Sequence, residues 1–215
     1  MVVLTDLTSY TDAQQHFSKE NLWALFDGDR ERLNIGHECV DRHPADRIAI
    51  RIAHANGRDE TITFGELRDW SNRVAHWLAG KGVGEGERVA IMLEPSLAFY
   101  AVLFGAMKAG CVAVPLFTLF GPDGLALRID DCAPSLLVLA PEKADLQTSA
   151  NVPVVIADDA LLAELTAQST AFTPDTAADA MAMYQYTSGT TRQLPEAVKH
   201  RHRAVVTVAI AALYA

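Results

Sequence analysis

Apolar positions along the chain fall into two alternating patterns, one with the period of a β-strand and one with the period of an α-helix. Apolar runs of strand length recur at 47–53, 61–63, 88–93, 111–116, 136–140, 152–156, 181–187 and 197–199. Helical patterns separate most of these runs, at 34–41, 67–78, 96–109, 124–131 and 158–167. Strands that alternate with helices predict an α/β fold with a largely parallel sheet flanked by helices.

Local turn and cap signals set several boundaries in this pattern. An Asn-Gly pair at 56–57, between two runs of strand length, predicts a small β-hairpin near residues 47–63. Thr63 and Glu66 have the spacing of a capping box, so we expect a helix to begin directly after the hairpin. That helix is expected to end near Gly80, because glycine commonly terminates helices.

The net negative charge of the chain argues against nucleic acid as a partner. The chain has 215 residues and a formal net charge of -9, which repels nucleic-acid backbones at long range. We therefore expect no nucleic-acid binding, whereas a small anion can still bind through local backbone N–H groups and a few cations. Hydrophobic residues make up 50% of the chain, which is enough for a folded core.

Several signals predict a cytoplasmic protein. The three cysteines are far apart and form no Cys-x-x-Cys pair, which is typical of reduced core thiols. The start of the chain lacks a basic region followed by an apolar stretch, so no secretory signal is expected. The longest apolar run, 204–215, is shorter than the roughly 20 residues that a membrane span needs. We interpret it as a buried helix and expect no membrane span.

The chemically most informative residues lie at the end of the apolar run 181–187 and just beyond it. Five residues place four hydroxyl groups around one glycine: Thr187, Ser188, Gly189, Thr190 and Thr191. Glycine allows close backbone approach, and hydroxyls with consecutive N–H groups can surround a phosphate. The same residues also suit a surface turn, so the motif alone leaves both interpretations open. Its spacing fits neither a Walker A loop nor a dinucleotide-binding fingerprint.

Five blocks of the chain, in the same order and spacing, resemble the adenylate-forming superfamily of acyl-CoA synthetases, peptide-synthetase adenylation domains and luciferases. These blocks lie at 34–43, 63–67, 82–90, 106–115 and 187–191. The last block resembles the start of the superfamily signature Thr-Ser-Gly-Thr-Thr-Gly-x-Pro-Lys-Gly-Val. The first block is similar to the acetyl- and medium-chain acyl-CoA synthetase branch. The resemblance extends over nearly the whole chain.

The resemblance implies an activity. Members activate a carboxylic acid with ATP and Mg²⁺ as an acyl-adenylate, release pyrophosphate, and usually pass the acyl group to CoA. It implies that 187–191 holds the β- and γ-phosphates and stabilises the charge of the departing pyrophosphate. It also implies CoA contacts at Phe120, Gly121 and Arg128, although aromatic residues such as Phe117 and Phe120 more often occupy core positions.

Beyond Thr191 the chain departs from the signature. Aligning Pro195 with the signature proline needs one inserted residue and puts Glu196 where the family has a lysine. A carboxylate beside a triphosphate is unfavourable. We therefore expect Arg192 or Lys199 to replace that lysine in binding phosphate.

Two histidines follow the signature. On a strand, His200 and His202 would share a face, but no third ligand is evident, so we expect no metal site. The family often has a histidine here, which implies a structural role for His200 or a place near the acyl group.

The superfamily's members are far longer than this chain, and their adenine- and ribose-binding groups lie downstream of the signature. We expect three sections: an amino-terminal segment with the hairpin at 1–66, an α/β subdomain at 67–186, and the phosphate loop with the start of a further subdomain at 187–215. Alone, these sections are expected to be inactive and to self-associate through uncovered apolar surface. Two alternatives stay open: a non-catalytic module that binds a nucleotide or a partner, and an excised piece without a function of its own.

Overall fold

The computed structural model describes residues 2–54, 57–149, 151–186 and 196–213. Its α-helices are α1 (Tyr10–His16), α2 (Lys19–Trp23), α3 (Phe64–Gly80), α4 (Leu97–Lys108), α5 (Pro122–Cys132), α6 (Asp159–Thr166) and α7 (Ala204–Leu213). Its strands are β1 (Ile48–Ala53), β2 (Asp59–Thr63), β3 (Arg88–Met92), β4 (Val112–Pro115), β5 (Leu136–Leu139), β6 (Val154–Ile156), β7 (Met181–Tyr186) and β8 (Ala197–Arg201). Short 3-10 segments lie at Leu4–Asp6 and Pro141–Ser149, and a π-helical turn lies at His37–Asp41.

Six strands form the central sheet, in the order β6-β5-β3-β4-β7-β8. The first five run parallel, and β8 returns antiparallel to β7. The predicted α/β fold with a largely parallel sheet is therefore confirmed. Most strand boundaries differ from the predicted runs by one or two residues; β6, for example, begins only at Val154, and β8 continues to Arg201.

Side chains of the central strands alternate between two apolar layers. Val89 and Ile91 of β3 pack in the layer formed with α3, α4 and α6, whereas Ala90 and Met92 face α5. All four side chains are completely buried. Burial on both faces explains why the parallel strands appear in the sequence as continuous apolar runs.

Helix α3 begins as the capping pattern predicts. The Thr63 hydroxyl accepts a hydrogen bond from the N–H of Glu66 at 3.2 Å, and the Glu66 carboxylate accepts one from the N–H of Thr63 at 2.8 Å. The preceding β1–β2 hairpin is antiparallel, as expected, and packs Ile62 against Leu67 of α3 and against Val40. The hairpin and α3 thus form one packed unit.

The amino-terminal segment packs against α7. Leu4 and Leu22 form a small apolar cluster with Val206 of that helix. Val206 is 6% exposed, but Val208 on the outer side of α7 is 65% exposed. The interpretation of 204–215 as a buried helix is therefore wrong for its outer side. Among the described residues, no helix is both long and apolar enough to cross a membrane.

Candidate nucleotide-binding site

The candidate phosphate loop lies between two described flanks. Residues 187–192 themselves, including Arg192, lie outside the described residues. β7 ends at Tyr186, and the antiparallel pair Tyr186–Ala197 brings the two flanks together. Because β7 runs parallel to β4, Tyr186 lies at the carboxyl edge of the parallel strands. Open α/β sheets bind their ligands outside this edge.

Tyr186 is anchored on α5. Its hydroxyl donates to a carboxylate oxygen of Asp131 at 2.6 Å and lies 3.2 Å from the backbone carbonyl oxygen of Arg128. Burial, followed by the hydrogen bond to Asp131, raises the pKa of the Tyr186 phenol well above its usual value. The phenol therefore stays protonated and keeps its role as donor. The end of β7 is held by α5 as well as by β8.

Arg128 lies between two aromatic rings. Its Cζ is 3.5 Å from the centroid of the Phe120 ring and 5.5 Å from that of the Tyr186 ring. Its Nη1 donates to the carbonyl oxygen of Gly124 at 2.7 Å. Burial lowers the pKa of the guanidinium. The structure thus brings Arg128 and Phe120 into contact and places Arg128 beside Tyr186 at the end of β7.

Gly121 and Phe117 complete this region. Gly121 is the amino-terminal cap residue of α5, directly after Phe120 in the chain. The ring of Phe117 meets that of Phe120 edge-on, with 5.9 Å between the centroids, but Phe117 is 62% exposed. A core position is therefore wrong for Phe117. In the sequence, Phe117 comes before Phe120, and Gly121 directly follows it.

Strand β8 carries Lys199 and His200. Lys199 is exposed, and its Nζ lies 5.0 Å from the centroid of the Tyr184 ring. Tyr184 and Tyr186 both pack in the layer formed by α5, so Lys199 projects on the α5 side of β7. His200 is half-buried and pairs with Met183. The two β8 candidates are next to each other in the chain and have different surroundings.

His202 lies beyond the end of β8 and has a structural contact. It is completely buried, and its Nδ1 accepts a hydrogen bond from the N–H of Ile35 at 3.1 Å. Burial lowers the pKa of His202 to about 4, so the ring is neutral. Within the described ranges, no group of three or more His, Cys, Asp or Glu side chains is arranged to hold a metal ion.

Sequence reasoning missed two polar residues at the same carboxyl edge. Glu94 follows β3, Thr118 follows β4, and the Thr118 hydroxyl donates to the Glu94 carboxylate. The helices that follow these strands, α4 and α5, cover opposite faces of the sheet, so the boundary between β3 and β4 is a topological switch point. The available signal was a polar residue shortly after each of two apolar strand runs.

The sheet order and this switch point define a largely parallel α/β fold of the kind that binds ligands at its carboxyl edge. The family model described as "AMP-binding enzyme" matches residues 37–214. The chain belongs to that family, as the five sequence blocks predict.

Known proteins match the chain over only part of their own length. The acetyl-coenzyme A synthetase of Bacillus subtilis (strain 168) is 31% identical over 143 residues, covering 64% of this chain and 25% of that protein. The 3-hydroxybenzoate–CoA ligase of Aromatoleum sp. (strain CIB) is 32% identical over 187 residues, covering 81% and 35%. The crystal structure of a Brucella canis acyl-CoA synthetase matches with a TM-score of 0.82 at 28% identity, covering 94% and 39%. The chain thus spans less than half of each.

Proposed function

We propose that this chain supplies the pyrophosphate-binding part of an ATP-dependent, AMP-forming acid–CoA ligase. The observation that carries the proposal is the position of 187–191, which follows the carboxyl end of β7 inside the family match at 37–214. The whole protein would join a carboxylic acid to CoA through an acyl-adenylate. Its substrates would be the acid, ATP as its Mg²⁺ complex, and CoA.

The proposed chemistry at 187–191 is electrostatic. Hydroxyl and backbone N–H donors around Gly189 would stabilise the negative charge that develops on pyrophosphate as the acid attacks the α-phosphate. A cation is needed beside them, and Arg192 and Lys199 remain the two candidates. The candidacy of Lys199 is supported by its exposure on β8, two residues after Ala197, which pairs with Tyr186 at the end of β7. Arg192 has the planar fork that suits phosphate.

The region around the start of α5 is proposed for CoA. Phe120 and Gly121 are the candidates for direct contact. Arg128 is held between two rings and by the Gly124 carbonyl. Its proposed role is therefore to position Phe120 and not to contact CoA by itself. His200 remains a candidate for a residue near the acyl group. The acid is proposed only as a class, since one relative is named for acetate and another for 3-hydroxybenzoate.

Calorimetric titration of the chain with Mg²⁺-ATP and with AMP tests the proposal. Because the diphosphate would make the contacts, ATP should bind about tenfold or more tightly than AMP. Arg192→Ala or Lys199→Ala should remove most of that preference, which identifies the cation. The control Arg30→Ala removes an exposed guanidinium 3.2 Å from Glu20 and should leave the preference for ATP over AMP unchanged. Equal affinities for ATP and AMP in the unaltered chain contradict the proposal.

A non-catalytic nucleotide-binding module is the second candidate function. Glu196 favours it, because a carboxylate stands where the family has its lysine. The reading frame beyond Ala215 separates the two functions. Continuation into a Tyr-Gly-x-Thr-Glu segment supports the ligase, and a stop codon supports the module.

Three expectations about the isolated chain remain predictions. Catalysis in this family needs groups from several segments to converge, so we expect no ATP–pyrophosphate exchange above background from the 215-residue chain. Substantial carboxylate-dependent exchange would overturn that expectation. Self-association is checked by light scattering, where a clean monomer would contradict it. The section boundaries at 66 and 186 can be checked by limited proteolysis.

A further inference from the structure

An apolar cavity of about 530 Å³ lies between α4 and α6, at the carboxyl edge of the sheet. Three of the residues that line it follow parallel strands: Leu97 comes after β3, Pro141 after β5 and Ala157 after β6. Open α/β sheets bind their ligands outside this edge. The cavity is therefore a candidate ligand site, on the face of the sheet opposite to α5.

The inner wall of the cavity is apolar. It is formed by Ala101 and Val102 of α4 and by Leu161 and Leu165 of α6, whose side chains are all buried. Trp70 of α3 adds a half-buried aromatic ring. The volume lies within the range of about 300–1,000 Å³ that is typical of small-molecule sites. A ligand of that size can bury an apolar carbon skeleton against this wall.

Two neighbouring carboxylates lie at the rim of the cavity. Asp158 and Asp159 both line it, and both are exposed. Asp158 caps α6, because its Oδ1 accepts hydrogen bonds from the N–H groups of Ala160 at 3.0 Å and Leu161 at 3.1 Å. Within the described part of the chain, no lysine, arginine or histidine lines the cavity. The charge at the rim is therefore negative.

Arg73 lies near one wall of the cavity without offsetting that charge. Its Cζ is 5.5 Å from the centroid of the Trp70 ring. Its Nη1 donates to the carbonyl oxygens of Leu165 at 3.2 Å and Gln168 at 3.0 Å, at the carboxyl end of α6. A cation there complements the partial negative charge of the last helical carbonyls. Arg73 and the two carboxylates thus lie at opposite ends of α6.

We propose that this cavity binds an apolar primary amine. Its carbon skeleton packs against the buried leucines, and its ammonium group lies beside Asp158 and Asp159. Carboxylates attract a cation and repel an anion at short range. The proposal goes beyond the proposed function, because the carboxylic acid, ATP and CoA are all anions, which this rim disfavours.

Three probes with one carbon skeleton separate the effect of charge from that of apolar contact: phenylbutylamine, phenylbutanol and phenylbutanoate. Nuclear magnetic resonance titration of the chain, with labelled valine and leucine methyl groups, gives their dissociation constants. The methyl signals of Val102, Leu161 and Leu165 report on the cavity. At neutral pH the amine should bind about tenfold more tightly than the acid, with the alcohol between them.

Removal of the rim charge tests the selectivity. Asp158→Asn combined with Asp159→Asn removes both charges, and asparagine keeps a good cap at position 158. The preference for the amine over the acid should then disappear, while the affinity for the alcohol stays the same. Asp46→Asn combined with Asp59→Asn is the matched control, because it changes the net charge equally at two exposed residues outside the cavity. It should keep the preference.

Obstruction of the entrance tests the location. Ala98 is an exposed residue at the rim, where a larger side chain would block access. Ala98→Trp should remove measurable binding of all three probes. The control Ala79→Trp adds the same ring at an exposed position of α3 outside the cavity, and should leave the three constants unchanged.

Any of three results in the unaltered chain overturns the proposal. Amine affinity equal to or below that of the acid shows that the carboxylates do not select the ligand. Methyl signals that stay in place up to millimolar amine show that the cavity does not take this class of compound. Methyl signals that move with protein concentration alone show that a second copy of the chain covers it. The preference for ATP over AMP is measured separately, so the proposed function stands or falls independently.

Discussion

Lys108 at the end of α4 is a charged side chain in the interior of the fold. Its side chain is completely buried, and its Nζ donates to Asp41 at 2.5 Å, to the Ser71 hydroxyl at 2.7 Å and to the Asn72 side-chain oxygen at 2.7 Å. These acceptors belong to the π-helical turn and to α3. One ammonium group thus joins three elements, and we predict that Lys108→Met strongly destabilises the chain.

The magnitude follows from what the substitution leaves behind. Methionine fills much of the space of the lysine stem but donates no hydrogen bond, so Asp41, with its side chain 11% exposed, loses its lysine partner and keeps only His37 Nδ1 at 3.8 Å. Removing one member of a buried ion pair costs about 3–5 kcal/mol. With a urea dependence of about 2.5 kcal/mol per M, the midpoint of unfolding should fall by about 1–2 M.

Urea unfolding, followed by tryptophan fluorescence and circular dichroism, measures this shift. Lys81→Met is the matched control. Lys81 pairs with Glu164 at 2.9 Å, but the Lys81 side chain is 43% exposed and the Glu164 side chain is 50% exposed. It should lower the free energy of unfolding by less than about 1 kcal/mol. Adding Asp41→Asn to Lys108→Met should restore part of the stability, since it removes the unpaired charge. A midpoint for Lys108→Met equal to that of the control would refute the reasoning.

Stability should fall in acid because of His202: burial lowers its pKa to about 4. As the pH falls from about 6.5 toward 4, the unfolded chain binds a proton that the native chain does not, which costs up to about 3 kcal/mol. His202→Asn, whose side-chain oxygen can accept the N–H of Ile35, should flatten the pH dependence of the urea midpoint. Gly105→Ala should lower the free energy of unfolding by about 1–3 kcal/mol, because a Cβ there would lie 2.6 Å from the Val74 side chain. Gly80→Ala, with nothing within 4 Å of the added Cβ, should raise it by about 0.5 kcal/mol instead. Equal urea midpoints for the two glycine variants would contradict the packing explanation.

Features that depend on neighbours in the chain were predictable from the sequence. The capping box at Thr63 and Glu66 forms with both predicted hydrogen bonds. The hairpin and the alternation of strands with helices also follow from local patterns, because turn chemistry and apolar period act over a few residues. The five sequence blocks that resemble the adenylate-forming superfamily also predict which α/β fold the chain adopts.

Features that depend on distant partners were not predictable in this way. Lys108 ends an apolar helix, where a lysine is typically solvated, and its acceptor Asp41 lies 67 positions away. His202 meets Ile35 across 167 positions. Nothing in the local pattern encodes these pairings, since only the packing of three or more elements brings the groups together.

The candidate site likewise has some features that were predictable from the sequence and others that were not. The Ser/Thr-rich motif at 187–191 is recognisable from the sequence alone. The anchoring of Tyr186 by Asp131 depends on α5 lying beside the end of β7, which the sequence does not reveal. The Glu94–Thr118 hydrogen bond likewise depends on β3 and β4 being neighbours in the sheet.

Titration of the ¹⁵N-labelled chain with Mg²⁺-pyrophosphate decides whether 187–191 holds a diphosphate. We predict that the amide signals of these residues shift with pyrophosphate and with ATP, and that AMP leaves them in place. Amide shifts confined to other parts of the chain, or no shifts at all with pyrophosphate, would contradict the proposed role of this segment.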